Sequence, residues 1–164
     1  MGVKVLCVVA SMAIVSGVAS CASNPYSEPR AAWRGQVEDA CLASGSVRPS
    51  AYVQPMSPLG GRGSCGLEHP FKVSATANGT VAVTPPATIG CPMTASVDRW
   101  MTRSVQPAAR AYFGSRVVEI RQIASYGCRT RNSRGAAMSE HAFGNALDVA
   151  AFRLADGREV NVYR

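Results

Sequence analysis

Histidine is scarce in this chain, which has only His69 and His141. No two cysteines stand in a Cys-x-x-Cys clip, and the closest of Cys41, Cys65, Cys91 and Cys128 are 24 positions apart, which excludes zinc ribbons and fingers built on paired cysteines. Acidic residues are also few, ten against 17 Lys and Arg, for a formal charge of +7. The arginines responsible run from Arg30 to Arg164 without a dense cluster, and no aromatic residues alternate with them as a base-stacking surface would need. Nucleic acid is therefore excluded as the expected partner, and a basic surface facing anionic lipid head groups or wall polymer is favoured. No internal repeat is present, and 164 residues leave room for one domain with an ordinary core.

The first twenty residues differ from the rest. Lys4 is followed by an apolar run from Val5 to Val18, broken by Ser11, Ser16 and Gly17, and then by "VASC" at 18–21. The run is at the short end for a membrane span, so an export signal is the better reading than a transmembrane anchor. "VASC" resembles the bacterial lipobox, which implies cleavage before Cys21, lipid on that cysteine, and attachment to a membrane without a spanning helix. Ala22 after the cysteine implies sorting to the outer membrane of a Gram-negative bacterium. Cys7 would leave with the signal, and the four remaining cysteines of an exported chain imply two disulfides. Three pairings are possible. A nearest-neighbour rule pairs Cys41 with Cys65 and Cys91 with Cys128.

Residues 21–30 are polar and Pro-broken and read as a tether, with the domain spanning 31–164. Trp33, Val37, Ala40 and Cys41 fall at helical spacing and Gly45 stops the pattern, which predicts a helix over 31–43 pinned to the fold by Cys41. Residues 46–66, rich in Gly, Pro and Ser, predict an irregular loop. Asn78-Gly79 sits between two alternating runs and predicts a hairpin with strands at 70–76 and 80–84. Residues 91–113 have helical periodicity that Pro107 should split, and a strand follows from about Arg116. Asp156-Gly157 predicts a last hairpin, with strands at 146–154 and 158–163. The fold class is α+β, with helices packed on a mostly antiparallel sheet.

Between two predicted strands lies a polar loop, residues 125–145, that carries Arg129, Arg131, Arg134, Glu140 and His141. A long loop of this kind in a compact domain is commonly functional. His141 and Asp148 stand seven positions apart with Gly144 between them to turn the backbone. A loop imidazole folded back onto a strand carboxylate can share one cation, and zinc accepts such N and O donors. The plainer alternative is a hydrogen-bonded pair open to water. Glu140 is read as a solvated loop carboxylate, and His69 as a residue at the start of a strand.

Ser139-x-His141-x-x-Gly144-x-Ala146-x-Asp148 resembles the motif of zinc peptidases that act on D-alanyl peptides of peptidoglycan. That resemblance implies zinc held by His141 and Asp148, with Arg129 meeting substrate or oxyanion. Six ordered blocks ("CGLEHPFKV", "TPPATIGCPMTASVDRW", "VQPAAR", "SYGCRTRN", "SEHAFGNALDVAAF" and "LADGREV") further resemble the extensin-like C-terminal domains of bacterial envelope proteins. Such a peptidase also needs a third ligand and a carboxylate base, which the resemblance places in a downstream His-x-His-like stretch. The chain reaches Arg164 before any such stretch, so a C-terminally truncated domain with half of a metal site is expected. Three readings follow: a peptidase-like zinc domain, a non-catalytic envelope module that binds peptidoglycan peptide, and a shortened domain that folds poorly.

Overall fold

The computed structural model describes residues 24, 26–132 and 137–162. The expected signal at 1–20, Cys21 with its expected lipid, Arg134 and Tyr163 lie outside the described residues. Among those described, no helix is long and apolar enough to cross a membrane.

Six strands form one sheet in the order β1-β4-β5-β6-β7-β8. They are β1 Val53–Pro55, β4 Pro70–Thr76, β5 Val81–Gly90, β6 Val117–Ala124, β7 Asp148–Leu154 and β8 Glu159–Asn161. A two-stranded ribbon, β2 Leu59–Gly60 with β3 Gly66–Leu67, stands beside it. Every neighbouring pair is antiparallel except β5 with β6, which are parallel. A parallel pair needs a crossover, and the helices between β5 and β6 supply it. The α+β architecture is thus as the sequence implied, although 46–66 is not irregular throughout: it contributes the edge strand β1 and the β2–β3 ribbon.

Helix α1 spans Ala32–Ala43, and α2 spans Cys91–Trp100. A π-helical turn, Met101–Val105, then leads directly into α3, Gln106–Phe113. Pro107 occupies the first turn of α3, where its missing N–H does no harm, and the break falls in the turn before it. The core lies between this rod and the sheet, with Val73, Val81, Ile89, Met101, Ile120 and Leu154 almost wholly buried. Strand β5 runs past the predicted end at 84 because β4 opposes it on both sides of Pro85 and Pro86. Ala82 pairs Ala75 and Ala87 pairs Val73, so the prolines sit in a bulge and break no ladder bond.

One expectation needs correction. The disulfides join Cys41 to Cys91 and Cys65 to Cys128, not nearest neighbours. The reason is tertiary: α1 lies against the start of α2, and the β2–β3 ribbon lies against the loop after β6. Cys41 does pin α1 to the fold, as the sequence implied, although most of the apolar stripe faces outward. Trp33 is 54% and Val37 46% exposed, while Gly35 and Glu38 are buried. Polar links hold this helix. Glu38 pairs with Arg30 and accepts the backbone N–H groups of Glu68 and His69 at 2.9 and 3.0 Å. Upstream, Arg62 lies over the Tyr26 ring, so the chain before Arg30 also touches the domain.

Candidate metal centre

Strand β6 ends at Ala124, and the chain turns away from the sheet under close control. Ser125 Oγ accepts the Thr88 N–H, and the Tyr126 N–H donates to the Thr88 carbonyl, so both residues stay pinned to β5. Cys128 is tied to Cys65. The loop then folds back, with Thr130 bridged to Met138 and the Ser139 N–H donating to the Arg129 carbonyl.

The motif residues occupy a short 3-10 helix, Glu140–Phe143. Ser139 caps it, its Oγ accepting the His141 N–H at 3.4 Å. Gly144 ends it in the left-handed conformation at φ +60°, where a Cβ would stand 2.5 Å from Leu67 Cδ2. Its carbonyl accepts the Gly90 N–H, which docks the turn onto the end of β5. The serine and glycine of the motif therefore serve geometry: they hold His141 in place.

His141 is sunk into the domain, its side chain 7% exposed. Nδ1 lies 2.5 Å from the Ser125 carbonyl oxygen, which can only accept, so Nδ1 carries the proton. Nε2 then points at Asp148, 3.3 Å from Oδ1. The other carboxylate oxygen, Oδ2, faces Arg129 Nη2 at 4.0 Å. Asp148 and Arg129 are each nearly half exposed, so the histidine forms the floor of the site and the other two its mouth. All three residues singled out by the sequence are thus brought together. His69 is not among them: its Nε2 meets Asp39 at 2.9 Å beside α1.

Glu140 differs from the sequence reading. Its carboxylate is gripped by both Arg34 nitrogens, at 3.0 and 3.2 Å, and by Asn145 Nδ2 at 3.1 Å. Hydrogen bonds from Arg34 chiefly hold its carboxyl below the usual glutamate range, against a smaller opposing effect of burial. The Arg34 guanidinium also stacks 3.5 Å over the Phe143 ring. The Arg34–Glu140 pair fastens α1 to the motif turn, and Glu140 is not free to act as a base at Asp148. Neither Arg34 nor Ser125 could have been assigned from sequence. One acts across 106 positions and the other through its carbonyl.

A family model described as Extensin-like protein C-terminus matches residues 39–164. The chain belongs to that family. The match takes in Arg129, His141 and Asp148 together with all four disulfide cysteines of the extensin-like domain. No match was found among curated proteins or among solved structures.

The donor set of this extensin-like domain is His141 Nε2 and Asp148 Oδ1. With Nδ1–H given to a carbonyl, Nε2 is left as an acceptor facing a carboxylate oxygen, and a cation or a proton placed between the two would be held by both. A proton would make a hydrogen bond at the long limit of the usual range. Two tetrahedral zinc ligands at about 2.1 Å from the ion would stand about 3.4 Å apart, close to the 3.3 Å observed. A histidine that donates its second nitrogen to a backbone carbonyl is also the usual arrangement behind a metal ligand. The two donors fit zinc. Among the described residues, however, no group of three or more His, Cys, Asp or Glu side chains is placed to hold a metal.

Proposed function

We propose that this extensin-like domain is a cell-envelope domain that receives a peptide of peptidoglycan at a zinc position held by His141 Nε2 and Asp148 Oδ1. The carrying observation is the 3.3 Å separation of those atoms, with Nδ1 already committed to Ser125. Bound zinc supplies Lewis acidity toward a carbonyl oxygen and lowers the pKa of bound water. The protein's own contributions are positional. Ser125 fixes the tautomer and ring plane of His141. Arg129 sits at the outer oxygen of Asp148, where it orients the carboxylate, and is exposed enough to donate to the carbonyl or oxyanion of an incoming peptide.

Two protein donors are fewer than the three of hydrolytic zinc sites, and Glu140 is occupied by Arg34. Zinc held this way is therefore bound weakly, and hydrolysis needs a third ligand and a base beyond the described donor set. The resemblance to D-alanyl peptidases supports the substrate class. The lipobox-like "VASC" supports lipid on Cys21 and an outer-membrane address, and the two disulfides fit an oxidising compartment.

The test is zinc titration of the oxidised chain against a chromophoric chelator. Weak one-to-one binding, lost in both His141→Ala and Asp148→Ala, is expected. Binding unchanged in those variants, or none at millimolar zinc, overturns the zinc reading. Retention of about one zinc per chain through dialysis against a weak chelator would instead reveal a third ligand, and activity on muropeptides would then be assayed.

That no third donor joins His141 and Asp148 among the described residues favours a second reading, a non-catalytic module that binds wall peptide without metal. Sedimentation with purified peptidoglycan that chelator leaves unchanged would select it. Failure to sediment at moderate salt would remove it.

A further inference from the structure

The continuous rod from α2 through the π turn to α3 covers one side of the sheet, and its outer side has an unusual composition. From Arg99 to Val118 there is no acidic residue, while Arg99, Arg103, Arg110 and Arg116 are all exposed. Among the described residues none of the four takes part in an ion pair. Other arginines of the domain are satisfied: Arg30, Arg34, Arg121, Arg153 and Arg158 each have a carboxylate within 3.0 Å.

Aromatic side chains stand among these free cations. Trp100 is 41%, Tyr112 84% and Phe113 40% exposed. The Trp100 ring leans on Phe152 at 5.8 Å, and Tyr112 and Phe113 continue into an open apolar groove floored by Phe152, Leu154 and Val160. Burying such rings further in an adjoining phase is favourable, yet Tyr112 stands almost wholly in water and Trp100 and Phe113 keep about two fifths of their surface there. Unpaired arginines beside half-exposed Trp, Tyr and Phe match the boundary of an anionic bilayer. Guanidinium groups meet lipid phosphates there, their stems and the aromatic rings meet the upper acyl region, and each basic residue strengthens adsorption.

We propose that this outer side of the α2–α3 rod is a docking face for an anionic phospholipid surface. The Tyr112 and Phe113 end lies near Leu154, at the opposite end of seven-residue β7 from Asp148, about 20 Å away by strand rise. A bilayer on this face leaves His141, Asp148 and Arg129 open to the other side. The docking face stands whether or not His141 binds zinc.

The test uses Trp100 as a local reporter, so that attachment through the apolar run at 5–18 is not mistaken for docking. In the full Trp33→Phe chain, Trp100 is the sole tryptophan. The chain is mixed with phosphatidylcholine vesicles containing brominated acyl chains, with and without about a third phosphatidylglycerol. Trp100 quenching only with the anionic lipid, reversed by salt, is expected. Arg99→Gln/Arg103→Gln/Arg110→Gln, verified as folded by its thermal melt, should weaken partitioning about a hundredfold, at about fivefold per arginine. Tyr112→Ser/Phe113→Ser should weaken it without changing the salt dependence. Bound chain with unquenched Trp100 overturns the proposal, as does a triple variant that partitions like its parent. Heparin binding with unquenched Trp100 would assign the cations to a soluble polyanion instead.

Discussion

Gly144 is the residue on which the geometry of the site turns most directly. It lies at φ +60°, three positions after His141, and a Cβ there would meet Leu67 at 2.5 Å and the Gly90 nitrogen at 3.2 Å. Gly144→Ala therefore carries left-handed strain of about 1–2 kcal/mol together with overpacking of about 1–3 kcal/mol. We expect a loss of about 3 kcal/mol, read from the chemical denaturation midpoint. Leu67 is itself packed in the core and the Gly90 nitrogen is backbone, so the contact is relieved in part by the turn moving off the end of β5, which draws His141 away from the Ser125 carbonyl. Zinc affinity should fall along with stability. By contrast Gly114→Ala, also left-handed but with nothing within 4 Å of its Cβ, should cost only the strain and leave zinc affinity unchanged. Equal effects of the two variants on zinc binding would show that the turn does not position His141.

At the scale of elements, α1 shows what a hydrophobic pattern can and cannot reveal. Spacing places a helix at 31–43 and the structure has one at Ala32–Ala43, because local periodicity and a stop at Gly45 suffice for existence. Orientation depends on partners distant in sequence, and here those partners are polar. Glu38 is 4% exposed and serves Arg30 and two backbone N–H groups. Glu38→Gln should cost about 2 kcal/mol in denaturant, since it leaves the mostly buried Arg30 guanidinium with only the exposed carboxylate of Glu68 as charge partner. Val37→Ser should change stability by less than about 0.5 kcal/mol, and Trp33→Ser, which loses its stacking with Arg34, by less than about 1 kcal/mol. The reverse order would mean that α1 docks through its apolar side after all. The same division runs through the fold. Strand β4 is legible at 70–76 because its alternation and the Asn78-Gly79 turn are local, whereas β1 hides in a Pro-rich loop because its partner fixes it. At the site, His141 and Asp148 are legible as residue types at a spacing, and Arg129 only through the family resemblance. Ser125 is not, because a carbonyl has no sequence signature.

For the whole molecule, the interlocked disulfides weigh more than any single contact. Cys41–Cys91 closes a separation of 50 residues and Cys65–Cys128 one of 63. By loop-closure entropy each contributes about 4 kcal/mol, and because the loops overlap, together somewhat less than about 8 kcal/mol. Ordinary domains have a total stability of about 5–15 kcal/mol. This one has a helix held largely by polar links and aromatic rings left in solvent, so it has little apolar surplus to replace the cross-links. The oxidised chain should therefore melt cooperatively, and reduction at neutral pH should bring the midpoint close to ambient temperature. The two bonds should also separate by function. Cys41→Ser/Cys91→Ser frees α1 from α2 and should lower stability with modest effect at the site, since Arg34 still grips Glu140. Cys65→Ser/Cys128→Ser releases the residue next to Arg129 and should disturb the approach of Arg129 to Asp148 as well. Zinc affinity measured on both double variants checks this. A larger loss in the Cys41/Cys91 variant would place the anchor of the site in α1, not in the loop after β6.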